Sequence, residues 1–174
     1  MRTCPVRTAS PPGLPHRCCN RGTAALLVGL PLTVTVDVDG LGVVLFCHAT
    51  PRRDDECVLV DSPLPVWSRA LAGVTGLTVV MGHTHMPFDR LVDGRRAVNP
   101  GSVGMSYGAP GACWALLGPD ITLRRTAYDV DLAAERIRSG GHPDAAAWAD
   151  EYVLAQYGDA EALAAFTALV DPLD

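Results

Sequence analysis

The 174-residue chain carries 19 acidic and 14 basic side chains, for a formal net charge of −5, and 48% of its residues are apolar. That balance suits one globular domain with its own core, and it argues against nucleic acid or an anionic membrane as an electrostatic partner. No apolar run reaches the roughly 18 residues that crossing a bilayer takes, and Ala24 to Leu30 is too short and too internal for a signal-peptide core, so the expected location is cytoplasmic.

All 14 basic residues are arginines, a mark of GC-rich coding rather than of function. The six cysteines, Cys4, Cys18, Cys19, Cys47, Cys57 and Cys113, form no CxxC pair. They read as free thiols in a reducing compartment, not as a disulfide or zinc-ribbon framework.

Residues 1–22 hold four of the 14 prolines and three of the six cysteines, with no periodic apolar pattern. Such a stretch cannot form a packed element. It reads as a disordered leader or as residues translated from a wrong start or a shifted frame, and the second reading is favoured. Beyond it, Leu32–Asp37 and Gly42–Cys47 are β-branched runs around Val38-Asp39-Gly40, an Asp-Gly hairpin that delivers His48 at the end of its second strand. Residues 49–61 read as a polar loop and a short strand. Arg52, Arg53, Asp54 and Asp55 there suit a solvated face, the functional alternative being that Arg52 or Arg53 holds a substrate phosphate. Ser62 to Ala72 predicts a short amphipathic helix capped by Ser62, with Val66, Ala70 and Leu71 on one face, Trp67 packed, and Gly73 and Gly76 ending it.

Thr78 to Met81 lies between Gly76 and Gly82 and reads as a buried strand. It leads into Gly82-His83-Thr84-His85, and Pro87 excludes a helix interior. Residues i and i+2 diverge by about 200° on a helix, whereas on an extended segment they share a face roughly 6.6 Å apart. That spacing suits two imidazoles reaching two ions about 3.5–4 Å apart, or one ion if the backbone bends. Asp93-Gly94 then joins two more strands, 89–92 and 95–98, which run into the tight turn Asn99-Pro100-Gly101-Ser102. Free backbone N–H groups in that turn could face an anion, making Asn99, Gly101 and Ser102 a candidate phosphate pocket together with Arg52.

Residues 112–117 and 121–128 flank Gly118-Pro119-Asp120 as a third hairpin, one side of whose last strand faces water. Asp129 caps a helix to Arg138, and Gly140-Gly141-His142-Pro143 breaks it, leaving His142 in a loop without a catalytic role. Two alanine-rich helices, 144–156 and 159–169, follow as a helical extension over 129–174, with a frayed tail.

GHTH, followed by a hairpin and NPGS and preceded 35 residues earlier by a strand ending in His48 (VVLFCHATP), resembles the C-terminal half of a calcineurin-like metallophosphoesterase of the bacterial type. The likeness covers roughly residues 30–131. It implies an α/β fold: part of a four-layer αββα sandwich, mainly its C-terminal mixed or antiparallel sheet with flanking helices. It also implies that His48 and His83 bind one divalent ion and His85 a second, the ions being manganese, iron, zinc or nickel, for hydrolysis of a small phosphomonoester or phosphodiester.

The family's DxH, GDxxxxGP and GNxD motifs are absent from this sequence, and with them its bridging carboxylate and candidate general acid. The expectation is therefore a truncated product with weak or no activity, its missing motifs encoded upstream, and an open sheet that aggregates or pairs with another chain, possible homo-oligomer included. Two other functions stay open. One is a single-zinc hydrolase using the three histidines, and the other is a non-catalytic interaction module.

Overall fold

A computed structural model describes residues 21–171. The expectations for the leader up to residue 20, including Cys4, Cys18 and Cys19, and for the tail beyond residue 171 lie outside the described residues.

In chain order the elements are α1 (Arg21–Val28), β1 (Thr33–Val38), β2 (Gly42–Cys47), α2 (Leu64–Ala70), β3 (Thr78–Val80), β4 (Phe88–Val92), β5 (Arg95–Asn99), β6 (Ala112–Leu117), β7 (Ile121–Thr126), α3 (Val130–Arg138), α4 (Ala145–Trp148), a π-helical turn (Ala149–Leu154) and α5 (Asp159–Thr167). Five strands form one mixed sheet in the order β1-β2-β3-β5-β4, and β6-β7 form a separate ribbon. The three central strands run parallel, and each outer strand is antiparallel to its neighbour. The α/β expectation of a mixed sheet with flanking helices holds.

Strand registry explains how the sheet is covered. Leu45, Val79 and Ala97 form one cross-strand row, and Phe46, Val80 and Val98 the next. Successive residues point to opposite faces. The first row packs under α2, where Val66, Trp67, Ala70 and Leu71 are buried. The second row, with Val44, meets Ile121, Leu117 and Leu123 of the ribbon. Strand β3 is therefore buried on both faces, as a β-branched run between two parallel neighbours should be.

Trp67 anchors the helix side. It is fully buried, its indole N–H donates to the Leu59 carbonyl at 3.1 Å, and Phe88 meets its ring edge-on at 5.7 Å. The ribbon side is locked turn to turn. Gly40 has φ +81°, and a Cβ there would sit 2.7 Å from Pro119, so only glycine lets the two hairpin turns approach.

Three local expectations are corrected. Ser62 does not cap α2. Its hydroxyl accepts from the Leu59 N–H at 2.9 Å, and Pro63 occupies the cap position with no side-chain bond. The strand expected within residues 49–61 does not form. Cys57, Val58 and Leu59 are buried, yet among the described residues no strand ladder flanks them. The helix expected over 144–156 is one short α-turn followed by the π-helical turn. Among the described residues no helix is long and apolar enough to cross a membrane.

Candidate functional site

Because β2, β3 and β5 are parallel and adjacent, their C-terminal ends finish side by side, as the sites of open α/β sheets do. His48 follows β2, Gly82 to His85 follow β3, and Asn99 ends β5. Backbone bonds tie these ends together: Gly82 N donates to His48 O at 2.7 Å, and Met81 N to Val98 O at 2.8 Å.

Asn99, almost fully buried, is the staple between the GHTH and NPGS loops. Its amide donates to Gly82 O at 2.7 Å and to Thr84 Oγ1 at 3.1 Å, and its oxygen accepts from Gly101 N at 2.8 Å.

The histidines do not sit on an extended segment. His83 and His85 both adopt the left-handed region, at φ +63° and +58°. Such a conformation costs on the order of 1–3 kcal/mol per non-glycine residue and persists only where surrounding bonds enforce it. A tight turn from Thr84 N to Gly82 O, at 2.7 Å, does so here. The two rings make different ring contacts. His83 Nδ1 lies 3.2 Å from His48 Nε2, with the rings edge-on, while His85 stacks beside Tyr107 at 6.4 Å between centroids. His85 Nδ1 is buried without a hydrogen-bond partner.

Burial holds the His83 and His85 imidazoles below their usual titration range. For His83 the neighbouring His48 adds to that, and Asp55 and Asp54 partly oppose it. For His85 the charge of His83 adds to burial, and the Met105 backbone opposes. Both rings are thereby biased towards the neutral form that ligates metal. Cys47 lies next to His48. Its thiol contacts the Ala49 and Val80 carbonyls, and burial pushes it up to about 11, so it remains a thiol at neutral pH. Cys47, Cys57 and Cys113 are all free.

The nearby carboxylates in sequence are occupied elsewhere. Asp89 pairs with Arg96 at 2.6 Å, and Asp93 accepts from Ser68. Among the described residues no three histidine, cysteine or acidic side chains converge as a metal-ligating group. His48 and His83 are in contact, and His85 lies within electrostatic reach of both.

In the candidate phosphate pocket, Arg52 binds Glu56 through Nε at 3.1 Å. Glu56 is buried, accepts from Thr50 Oγ1 at 2.6 Å, and keeps its other oxygen unpartnered. Arg53 is paired with Asp55 and Asp171. Ser102 Oγ accepts from Met105 N at 3.1 Å. Gly101 has φ +84°, and a Cβ there would meet the Cβ of Cys113 at 2.7 Å. Sequence reasoning passed over Thr50 and Glu56, which sit just beyond His48 and organise its loop. The signal available was the ionisable Glu56 leading straight into the apolar run 57–60.

No family model matches the chain, and no curated protein matches it. Among solved structures, the metallophosphoesterase from Sphaerobacter thermophilus aligns with a TM-score of 0.61 at 21% identity, over 77% of this chain and 63% of its own. The hypothetical protein PH1004 from Pyrococcus horikoshii OT3 aligns with a TM-score of 0.59 at 20% identity, over 78% of this chain and 55% of its own. The chain thus spans between about half and two thirds of the length of these structures. Its mixed α/β architecture is a metallophosphoesterase-like fold.

Proposed function

We propose that the chain is a metallophosphoesterase in origin, a divalent-metal-dependent hydrolase of small phosphomonoesters or phosphodiesters in the cytoplasm, and that these 174 residues turn over substrate weakly or not at all. The observation carrying this reading is the 3.2 Å between His48 Nε2 and His83 Nδ1. Two nitrogens bound to one tetrahedral ion at about 2.0–2.1 Å lie about 3.3 Å apart. A hydrogen bond between neutral rings suits the same distance, and metal uptake separates the two explanations.

In this reading His48 and His83 hold one ion, of the manganese, iron, zinc or nickel class, and His85 is the ligand left for a second. Polarisation of a phosphoryl oxygen and a hydroxide at neutral pH are what such an ion supplies when bound. The chain's own residues do the rest. Asn99 fixes the two loops, Gly101 and Ser102 shape the turn beside them, and Arg52, anchored by Glu56, is the cation for the substrate phosphate. Weak turnover follows from the donor set, because two adjacent cations need a bridging carboxylate and none converges with the histidines among the described residues. The solved relative named a metallophosphoesterase supports the assignment by fold.

The test is metal content after dialysis against manganese or zinc, followed by turnover of a chromogenic phosphodiester. The expected result is about one ion per chain, lost in His48→Ala and in His83→Ala, with turnover near background. Two tightly held ions with brisk turnover would overturn the weak-activity part. No uptake at all would favour a non-catalytic module. One zinc whose binding also depends on His85 would favour the three-histidine hydrolase.

A further inference from the structure

We infer that β1 is a self-pairing edge, and that a second copy of this chain docks on it antiparallel to form a ten-stranded sheet across a twofold axis. This inference is independent of the metal site. Among the described residues β1 has a strand neighbour, β2, on one side only. Its four central residues are exposed, Val34 at 48% and Val36 at 45%.

Nothing in the strand blocks an incoming chain. It contains no proline, no basic residue and no bulge, only alternating valine and threonine with Asp37 as its single charge. The pattern is complementary to itself. With the twofold axis at Thr35, Val34 of one copy faces Val36 of the other and Thr33 faces Asp37. With the axis at Val36, valine again faces valine and Asp37 faces Thr35. In neither register does Asp37 meet its own copy, so pairing brings no like-charge opposition. An arbitrary partner strand has no such guarantee.

The segment leading into the strand is apolar as well. Leu30 and Leu32 are 59% and 44% exposed, and Leu26, Leu27 and Val28 of α1 are exposed as well.

Sedimentation of the full chain from about 5 to 200 μM tests the proposal, because a dimer must strengthen with concentration. The expected mass at the upper end is twice the chain mass of 18.4 kDa. Val34→Lys/Val36→Lys should weaken dimerisation at least about 30-fold while leaving the far-ultraviolet circular dichroism unchanged, and Leu91→Lys on the opposite edge should leave the dimer intact. Hydrogen exchange on the wild-type chain gives a second readout: β1 amides should exchange at least about tenfold more slowly at 200 than at 5 μM. A monomer at 200 μM, a dimer indifferent to the double substitution, or β1 amides exchanging alike at both concentrations would overturn the proposal.

Discussion

The two edges of the five-stranded sheet face the same problem and solve it differently. At β4, Asp89 is paired with Arg96, and Arg90 sends its guanidinium to the carbonyls of Val60 and Ser62 and over the Trp67 ring at 5.4 Å. That edge is charged, clamped to the neighbouring loop and backed by α2. At β1 there is one carboxylate, no cation, and valines open to solvent. The β4 edge, where Leu91 is 74% exposed, carries charges tied into its own subunit. The β1 edge carries no such guard, which is what the proposed pairing with a second copy rests on.

Trp67→Ala should have the largest effect, because it empties the site where α2 meets β4 and leaves the Leu59 carbonyl without its donor. A loss of about 3–5 kcal/mol is expected, read as a fall in the urea midpoint. If β4 is self-sufficient in the way argued, this loss is independent of protein concentration.

Next comes Asn99→Ala, which leaves Gly101 N and Thr84 Oγ1 without their Asn99 partner and takes one of two donors from Gly82 O. It should cost about 1–3 kcal/mol and release the left-handed turn carrying His83 and His85. Metal uptake should weaken with it, measurable by equilibrium dialysis alongside the unfolding curve.

Substitution of Val34 and Val36 by lysine should move monomer stability by no more than about 0.5 kcal/mol per site, because both side chains are exposed in one subunit. A large loss measured under dilute monomeric conditions would blur the distinction between the edges.

The smallest effect belongs to Asp120→Asn. The Arg96 guanidinium, which Asp120 meets at 2.6 Å, and the Ile121 N–H hold the Asp120 carboxyl below its ordinary value of 3.8. A carboxyl depressed in the folded state adds stability above its unfolded value, and that contribution fades as pH falls through the folded value. The substitution should therefore lower the urea midpoint slightly at pH 7, with the difference shrinking as the pH is lowered into the acid range and shrinking also in high salt.

How much of this was readable without coordinates depends on the range of the interaction concerned. Asp93-Gly94 and Asp39-Gly40 announce their hairpins because turn chemistry is local, and both hairpins formed. His48 and His83 are placed at strand ends by the β-branched runs before them, and the parallel order of β2 and β3 makes those ends neighbours.

Other features were beyond local reading. Ser62 looks like a helix cap, but a competing backbone donor, Leu59 N, three residues earlier takes its hydroxyl. Residues 57–59 look like a strand, but among the described residues no neighbouring strand offers a ladder. Thr84 resembles an ordinary polar loop residue until its hydroxyl is seen to accept from Asn99, itself read from the sequence only as part of a phosphate pocket.

The sequence alone determined the alternation of apolar residues, the turns, and the three histidines at the ends of apolar runs, because each is set by residues within a few positions. Only the tertiary structure decided that His83 turns to His48 while His85 turns to Tyr107. That outcome depends on backbone angles near +60°, which no propensity favours, and on Asn99, 14 positions from His85, whose bonds hold the turn in place. It also decided which strands end the sheet, since the order β1-β2-β3-β5-β4 is set by pairings between residues far apart in the chain.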